Sequence, residues 1–225
     1  MYVYNLSSII YARPYRRRTA GRGDEQDWHV TQRIIVGISG ASGAILGIRT
    51  LEALRAARVE THLVLSKSAA LTISSETDLT PARVRDLADV TYKAENIGAA
   101  IASGSFRTMG MIVIPCSIRS LSEIAYGNTT TLLTRAADVV LKERRKLVLV
   151  VRETPLHLGH LKTMTRAAEI GALIAPFMPA LYTRPQTIDD IVNHTVGRVL
   201  DQFDIDTGAV KRWGEQVPAI GETND

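Results

Sequence analysis

The stretch from Thr31 to Ala44 constrains the fold of this chain more than any other part of the sequence. An apolar run leads into Gly37, two further glycines follow at Gly40 and Gly43, and an apolar helical pattern begins directly afterwards. This order predicts a buried strand, a tight turn and the start of a helix. Because the first amides of a helix lack partners within it and carry partial positive charge, the turn suits an anionic group such as a phosphate.

The spacing of the glycines narrows the choice of ligand. G-x-x-G-x-x-G is neither the dinucleotide-binding G-x-G-x-x-G nor the G-x-x-x-x-G-K-S/T loop of nucleotide triphosphatases, so it favours FMN or another monophosphate over NAD or ATP. Two alternatives remain open at this point. Such glycines are also typical of a plain strand-to-helix turn, and a nucleophile elbow has a similar pattern, although this segment ends in Ala44 where the elbow has glycine.

The composition is that of a chain with one sizeable core. It has 225 residues, 45% of them hydrophobic, and its one cysteine, Cys116, excludes an internal disulfide and favours a reducing compartment. No apolar run approaches the ~20 residues of a membrane-spanning helix, so we expect no membrane partner. We also expect no nucleic acid partner, because aromatic residues make up 5% of the chain and the net charge of +4 arises largely near the N-terminus.

The N-terminal thirty residues differ from the rest of the sequence. Five arginines precede the first acidic residue, Asp24, and no helical or strand periodicity is present. We interpret residues 1–30 as a disordered or cleavable basic extension, 31–205 as the folded domain and 206–225 as a tail at a subunit contact. The expected location is the cytoplasm, or the mitochondrion if the extension is a transit peptide.

From residue 33 onward, short apolar runs alternate with longer periodic segments, which is the pattern of βαβ units around a parallel sheet. The runs are rich in Val, Ile and Leu, as expected for strands buried on both faces. We predict a three-layer α/β/α fold with a doubly wound parallel sheet, flavodoxin-like or Rossmann-like. Strands are predicted at 33–38, 61–65, 110–114, 147–151 and 172–175. Helices are predicted between the first two strands and at 81–88, 120–126, 131–144, 158–168 and 188–203.

Polar residues follow four of the five predicted strands: 40–42, 66–67, 117–120 and 152–153. Taken singly, a serine there is typical of a helix cap, and an Arg-Glu pair is typical of an exposed surface. Ligands of such sheets bind in a crevice beyond the carboxyl ends of the strands. Together these residues therefore predict a polar rim around one crevice, suited to a phosphorylated ligand.

Two further sets of polar residues lie away from the strand ends. One set, Arg135, Asp138 and Lys142, has the spacing of residues on one helix face. The simpler interpretation of this set is an exposed helix surface with salt bridges. His157 and His160 could resemble a pair of metal ligands, but no third ligand is near them in sequence. We therefore predict no metal site.

A series of blocks, in order, resembles the UbiX-type flavin prenyltransferases, including the relatives associated with phenolic acid and hydroxybenzoate decarboxylases. They extend from about residue 33 to residue 213. The blocks are 37–43 (GISGASG), 59–67 (VETHLVLSK), 103–107 (SGSFR), 115–117 (PCS), 134–144 (TRAADVVLKER), 152–155 (RETP), Tyr182 with 184–186 (RPQ), and 196–199 (VGRV).

The resemblance implies a flavodoxin-like homo-oligomer, typically a dodecamer, that binds reduced FMN between subunits. It would transfer dimethylallyl from dimethylallyl phosphate or diphosphate to N5 and C6 of the flavin, without a metal. The prenylated FMN would then pass to a partner UbiD-type decarboxylase, whose substrate the sequence does not identify.

The resemblance also implies the residues of the site. It implies catalytic roles for Ser42, Glu76 and Glu153. Cofactor binding falls on Gly40, Ala41, Ser42, Ser66, Ser117, Ile118, Arg119, Ser120 and Arg152. Binding of the prenyl phosphate falls on Ser103, Arg135, Lys142, Tyr182 and Arg198.

One departure from the family pattern keeps two alternatives open. Ile97 stands where the family often has an aromatic residue, which removes a cation-π contribution to an allylic cation. This points to the decarboxylase-associated branch or, as an alternative, to a non-enzymatic FMN-binding accessory subunit of a decarboxylase. An FMN-dependent cysteine-type decarboxylase is the other alternative, although 115–117 differs from the signature of that class.

Overall fold

The computed structural model describes residues 32–215. Its strands are β1 (Arg33–Ile38), β2 (Glu60–Leu65), β3 (Val90–Tyr92), β4 (Gly110–Cys116), β5 (Lys146–Val151) and β6 (Ala172–Ile174). Its α-helices are α1 (Ala44–Ala56), α2 (Lys67–Glu76), α3 (Pro81–Arg85), α4 (Ile118–Ala125), α5 (Leu132–Lys142), α6 (Leu158–Glu169) and α7 (Ile188–Leu200). Short 3-10 helices lie at Ala100–Ala102, Leu181–Thr183 and Asp201–Phe203.

The strands form one parallel sheet in the order β3-β2-β1-β4-β5-β6. The chain builds outward from β1 to β3, then returns to β4 on the other side of β1. The switch point therefore lies between β1 and β4, where a ligand crevice is expected in a doubly wound sheet.

Helices cover both faces of the sheet, because successive side chains of a strand point to opposite faces. Ile34, Val36 and Ile38 of β1 pack in one buried cluster with residues of α1, α2 and α7. Ile35 belongs to a second cluster with residues of α4, α5 and α6. The predicted three-layer α/β/α fold is confirmed.

Two elements were missing from the sequence prediction, β3 and α2. The strand β3 has only three residues, none of them fully buried, so it lacks a long apolar run. The helix α2 buries only Ala69 and Ile73, which leaves too narrow an apolar stripe to indicate a helix. Two predicted helices are also shorter than expected, since α3 ends at Arg85 and α7 gives way to a 3-10 turn after Leu200.

The predicted basic extension at 1–30 lies outside the described residues, as does the end of the predicted tail from 216 onward. Both remain predictions. Between residues 32 and 215, no helix is long and apolar enough to cross a membrane.

Candidate functional site

A cavity of about 670 Å³ lies at the switch point of the sheet. Gly40 after β1, Ser66 after β2, and Ser117 after β4 all line it, as the polar strand ends predicted. Its other lining residues are Lys67, Ser68, Ala94, Glu95, Ile97, Arg119, Ser120, Glu123, Thr130, Thr131 and Leu133. Three of the four predicted polar strand ends therefore line one crevice, whereas Arg152 and Glu153 after β5 are not among its lining residues.

Three helices begin at the wall of this cavity. The hydroxyl of Ser66 caps α2 by accepting from the amide of Ala69 at 3.0 Å, and the hydroxyl of Ser117 caps α4 in the same way. Thr131 caps α5 in a reciprocal capping box. None of the three helices has an acidic residue in its first turn, so their partial positive charges face the cavity uncompensated by their own side chains.

Ser39 fixes the distance between the glycine turn and α4. Its hydroxyl donates to the carbonyl oxygen of Pro115 at 2.9 Å and accepts from the amide of Ser117 at 2.7 Å. Gly40 then passes so close to α2 that a Cβ atom added there would lie 2.1 Å from Cβ of Ser68. Only glycine allows this close approach, which explains one of the three glycines in the motif.

The start of α1 is occupied by a carboxylate of the chain itself. Oε2 of Glu76 accepts hydrogen bonds from the amides of Gly43 and Ala44, at 2.8 and 2.9 Å. Gly43 is the N-cap residue, with φ of 102° and no side chain to cap the helix. The anionic group that these two amides bind in the single chain is therefore the Glu76 carboxylate, and a phosphate at this turn remains a prediction.

Ser42, Glu76 and Arg152 form one cluster beside this turn. Burial raises the pKa of Glu76, but hydrogen bonds from the amide of Ala44, the hydroxyl of Ser42 and the amide of Gly43, together with the charge of Arg152, bring it below its usual value. Glu76 is therefore ionised at neutral pH, and the Ser42 hydroxyl lies close enough to contribute to that stabilisation. Ser42 is exposed and is not a helix cap.

Arg152 and Glu153 follow β5 at the same edge of the sheet. The amide of Arg152 donates to the carbonyl oxygen of Cys116 at the end of β4. Oε1 of Glu153 accepts from the amide of Thr154 at 3.0 Å, and the side chains of both residues are exposed in the single chain.

Tyr182 and Arg198 line a second cavity, of about 400 Å³, beside β6. The ring of Tyr182 meets the rings of His194 and Trp213 edge to face, with centroids 6.0 and 5.5 Å apart. Burial lowers the pKa of His194, and the charge of Arg198 lowers it further. Sequence reasoning missed His194, whose isolated position on α7 gave no signal.

Ser103 and Lys142 lie together at the opposite edge of the sheet. Lys142 ends α5 and pairs with Glu143, and a Cβ atom added at Gly104 would lie 2.7 Å from its Nζ. The loop of Ser103 is held by Arg145, which donates to the carbonyl oxygens of Gly104 and Phe106.

The six residues of β5 separate Lys142 from Arg152. At about 3.3 Å per residue, this places the two edges roughly 20 Å apart. Lys142 also lies on the face of the sheet covered by α5, whereas Arg198 lies on the face covered by α7, so one chain does not bring all the predicted substrate residues to one place.

Arg135 lies in the first turn of α5 and pairs with Asp138, whose Oδ2 accepts from its guanidinium at 2.8 Å. The salt-bridged face considered from the sequence is thus present for these two residues. Lys142 pairs with Glu143 instead of joining them.

The histidine pair has a local role. Nδ1 of His157 caps α6 by accepting from the amides of Gly159 and His160, and the two imidazole rings stack 3.5 Å apart. Within the part of the chain that the structure describes, no group of three or more His, Cys, Asp or Glu side chains could hold a metal ion.

Comparison with known proteins places these features in a family. A family model described as Flavoprotein matches residues 23–215. The flavin prenyltransferase UbiX of Escherichia coli is 63% identical over 175 residues, which are 77% of this chain and 93% of that protein.

Two solved structures are also similar. The crystal structure of AnUbiX in complex with FMN and dimethylallyl pyrophosphate is 51% identical, covers 81% of this chain and 97% of its own, and has a TM-score of 0.80. A dodecameric FMN-dependent UbiX-like decarboxylase from Escherichia coli is 51% identical, covers 81% of this chain and 99% of its own, and has a TM-score of 0.79.

Proposed function

This chain belongs to the UbiX family of flavin prenyltransferases, and from that premise we propose how its residues bind and activate two substrates. The enzyme transfers a dimethylallyl group from dimethylallyl phosphate or diphosphate to reduced FMN and so makes prenylated FMN. The flavin supplies the nucleophilic atoms N5 and C6. The protein supplies binding, orientation, charge and proton transfer.

The cavity at the switch point fits FMN in size and chemistry. Its volume of about 670 Å³ lies within the range usual for ligand pockets, roughly 300–1,000 Å³. Ala94, Ile97 and Leu133 offer an apolar wall for a flat ring system, and the starts of α2 and α4 offer amides and partial positive charge for a phosphate.

We assign FMN binding to the residues around this cavity. Ser66 already accepts a hydrogen bond from Ala69 as a cap, so its hydroxyl hydrogen remains available to donate to a phosphate oxygen. Gly40 lets α2 approach the turn after β1. The full set is Gly40, Ala41, Ser42, Ser66, Ser117, Ile118, Arg119, Ser120 and Arg152.

We assign the prenyl phosphate to a set of cations, a phenol and a hydroxyl: Ser103, Arg135, Lys142, Tyr182 and Arg198. Arginine and lysine stabilise the negative charge that develops on the phosphate as the allylic C–O bond breaks. Because Lys142 ends α5 on one face of the sheet and Arg198 lies on α7 on the other face, the set is complete only if different subunits contribute its members. We therefore propose a homo-oligomer with shared sites, a dodecamer like the solved relative from Escherichia coli.

We propose that Ser42 and Glu153 move protons near the flavin, and that Glu76 acts with Ser42. The ionised Glu76 lies beside the Ser42 hydroxyl and would orient it as an acceptor. Since Oε2 of Glu76 is engaged by two amides, its role is to orient Ser42 more than to exchange a proton itself. Glu153 is exposed and is free of such amide contacts from α1, so it suits proton exchange.

The single observation that carries this proposal is the cluster of Ser42, Glu76 and Arg152 at the edge of a crevice where α2 and α4 begin. Neither alternative considered from the sequence, the accessory subunit or the cysteine-type decarboxylase, is favoured by the comparisons. A UbiD-type decarboxylase as recipient of the product remains a proposal from family membership. So does a cytoplasmic location, and the bacterial relatives give no support to the mitochondrial alternative.

The test is a direct assay of prenyl transfer. Purified protein is incubated without oxygen with reduced FMN and dimethylallyl phosphate, and the flavin is analysed by mass spectrometry. A flavin heavier by one prenyl unit is expected. Bound FMN with no heavier product would support the accessory subunit instead.

A further inference from the structure

Asp201 lies at the junction of α7 and the C-terminal segment, in contact with two arginines. Its Oδ2 accepts from NH1 of Arg198 at 2.7 Å and from NH1 of Arg212 at 3.0 Å, and its Oδ1 accepts from NH2 of Arg212 at 3.0 Å. The Asp201 side chain is 13% exposed, whereas that of Arg198 is 51% exposed. A nearly buried carboxylate thus holds a half-exposed cation.

Asp201 occupies a position where an acidic side chain does not stabilise α7. It directly follows α7, where the helix dipole is negative and an acidic side chain is unfavourable. Burial raises its pKa, but hydrogen bonds from Arg212 and Arg198 and their charges bring its pKa below the usual value. The carboxylate is therefore stabilised by the two guanidinium groups and not by the helix.

The C-terminal segment packs against α7, and this packing places its residues in contact with Asp201 and its neighbours. Val210 is buried, and a Cβ atom added at Gly197 of α7 would lie 2.5 Å from its Cγ2. Beyond Val210, three successive residues contact residues next to the cavity beside β6, one of which, Tyr182, lines it. Lys211 donates to the carbonyl oxygen of Thr183, Arg212 binds Asp201, and Trp213 meets the ring of Tyr182.

We propose that Asp201 is a positioning residue that holds the guanidinium of Arg198 in place for the prenyl phosphate, with Arg212 fixing the carboxylate in turn. The proposal rests on the proposed assignment of Arg198 to that substrate. Arg198 lines the cavity with Tyr182, and its NH1 is directed to Asp201, which leaves its other N–H groups for a phosphate. A guanidinium held in one orientation loses less conformational freedom on binding than a free one.

The charge of the site supports this role. Asp201 is one of two carboxylates around these guanidinium groups, because Arg212 also lies 3.9 Å from Asp206, and it leaves the half-exposed Arg198 at the cavity wall. It also offsets the repulsion between Arg198 and Arg212. Removing the carboxylate charge would leave Arg198 free to move away from Arg212 and from the cavity.

The experiment uses the full-length protein saturated with oxidised FMN, which does not react. The dissociation constant of dimethylallyl phosphate is measured by calorimetry for the wild type and Asp201→Asn, and KM and kcat are measured with reduced FMN. Loss of one charge-assisted hydrogen bond predicts a dissociation constant and a KM about tenfold higher, with kcat changed less than about twofold and FMN affinity unchanged. Asp201→Glu, which keeps the charge, should restore most of the affinity.

A double variant separates positioning from general support of the fold. If Asp201 acts through Arg198, then Asp201→Asn should add less than about a twofold change in the background of Arg198→Ala. Glu169→Gln is the matched control, because it removes an exposed Arg166–Glu169 pair with the same spacing near the end of α6. It should leave all constants unchanged.

The outcomes are distinguishable. The positioning role alone is overturned if Asp201→Asn leaves the dissociation constant unchanged. It is also overturned if Asp201→Asn weakens binding by the same factor in the wild type and in the Arg198→Ala variant. No binding of dimethylallyl phosphate by the wild type overturns the proposed function and this inference with it. If Asp201→Asn does not fold, Arg212→Ala replaces it. That variant loosens the carboxylate and should weaken binding about threefold, and no weakening would count against the proposal.

Discussion

The carboxylate of Glu76 accepts the amide hydrogen of Ala44 at 2.9 Å, so that the last residue of α2 caps the first turn of α1. The Ser42 hydroxyl lies near the same carboxylate and helps to hold the pKa of Glu76 below its usual value. One ionised group therefore stabilises the helix that follows the glycine turn and lies beside the serine to which we assign a catalytic role. Structure and proposed catalysis depend on the same contact.

Ser42→Ala is expected to lower kcat for prenyl transfer about a hundredfold, because general acid-base groups contribute roughly 10²–10⁴ in rate. FMN affinity should change little, since Ser66, Ser117 and the helix starts are untouched. The measurement is formation of prenylated flavin with time, beside a fluorescence titration of FMN. Ser74→Ala is the control, because the Ser74 hydroxyl only donates to a carbonyl within α2. Equal rates for wild type and Ser42→Ala would exclude the proposed role.

Glu76→Gln is expected to lower the free energy of unfolding at pH 7 by ~1 kcal/mol, through loss of a charged cap at the start of α1. The pKa of Glu76 is lowered in the folded state from 4.5. Its contribution is therefore present above pH 4.5 and is lost as the pH falls through the folded value. Urea unfolding at pH 7 and pH 3 should show the difference between wild type and variant shrinking in acid. A difference that is constant with pH would contradict this assignment.

Gly40→Ala is expected to destabilise the protein by about 1–3 kcal/mol and to weaken FMN binding, because its Cβ would lie 2.1 Å from Cβ of Ser68. The double variant Gly40→Ala with Ser68→Gly removes the 2.1 Å contact but leaves the carbonyl carbon and Cα of Ser68 3.1 and 3.2 Å from the new Cβ, so Gly40→Ala should cost less in the Ser68→Gly background than in the wild type. Gly98→Ala is the control, because the nearest atom to its added Cβ is 3.8 Å away. Urea unfolding measures all of them. An equal cost of Gly40→Ala in the wild type and in the Ser68→Gly background would show that contact with the Ser68 side chain is not the cause.

Lys142→Ala and Arg198→Ala are each expected to be inactive in prenyl transfer while retaining FMN. Co-expression of the two variants should restore activity if Lys142 and Arg198 reach one site from different subunits. With equal amounts and random assembly, about a quarter of the sites would then have both residues intact, following the logic of shared interfaces. Mixed oligomers with no activity would mean that both residues come from the same chain. Tyr182→Phe, like Arg198→Ala, should retain FMN binding.

Much of the fold could be predicted from local patterns. The apolar runs at 33–38, 110–114 and 147–151 each became a buried strand, and the capping box of Thr187 and Asp190 is present at the start of α7. These features depend on residues within one or two turns of each other. The strand β3 was not predicted, because three partly exposed residues at the edge of a sheet carry almost no local signal.

The sequence by itself determined the alternation of strands and helices, and hence that the polar residues after β1, β2 and β4 meet at one edge of the sheet. It could not decide which anion lies at the start of α1, because the partner of Gly43 is Glu76, thirty-three residues away. Nor could the sequence predict that Lys142 lies far from Ser42, or that Asp201 lies between Arg198 and Arg212. Such contacts are set by the packing of whole elements, and only the tertiary structure decides which side chains that packing brings within hydrogen-bonding distance.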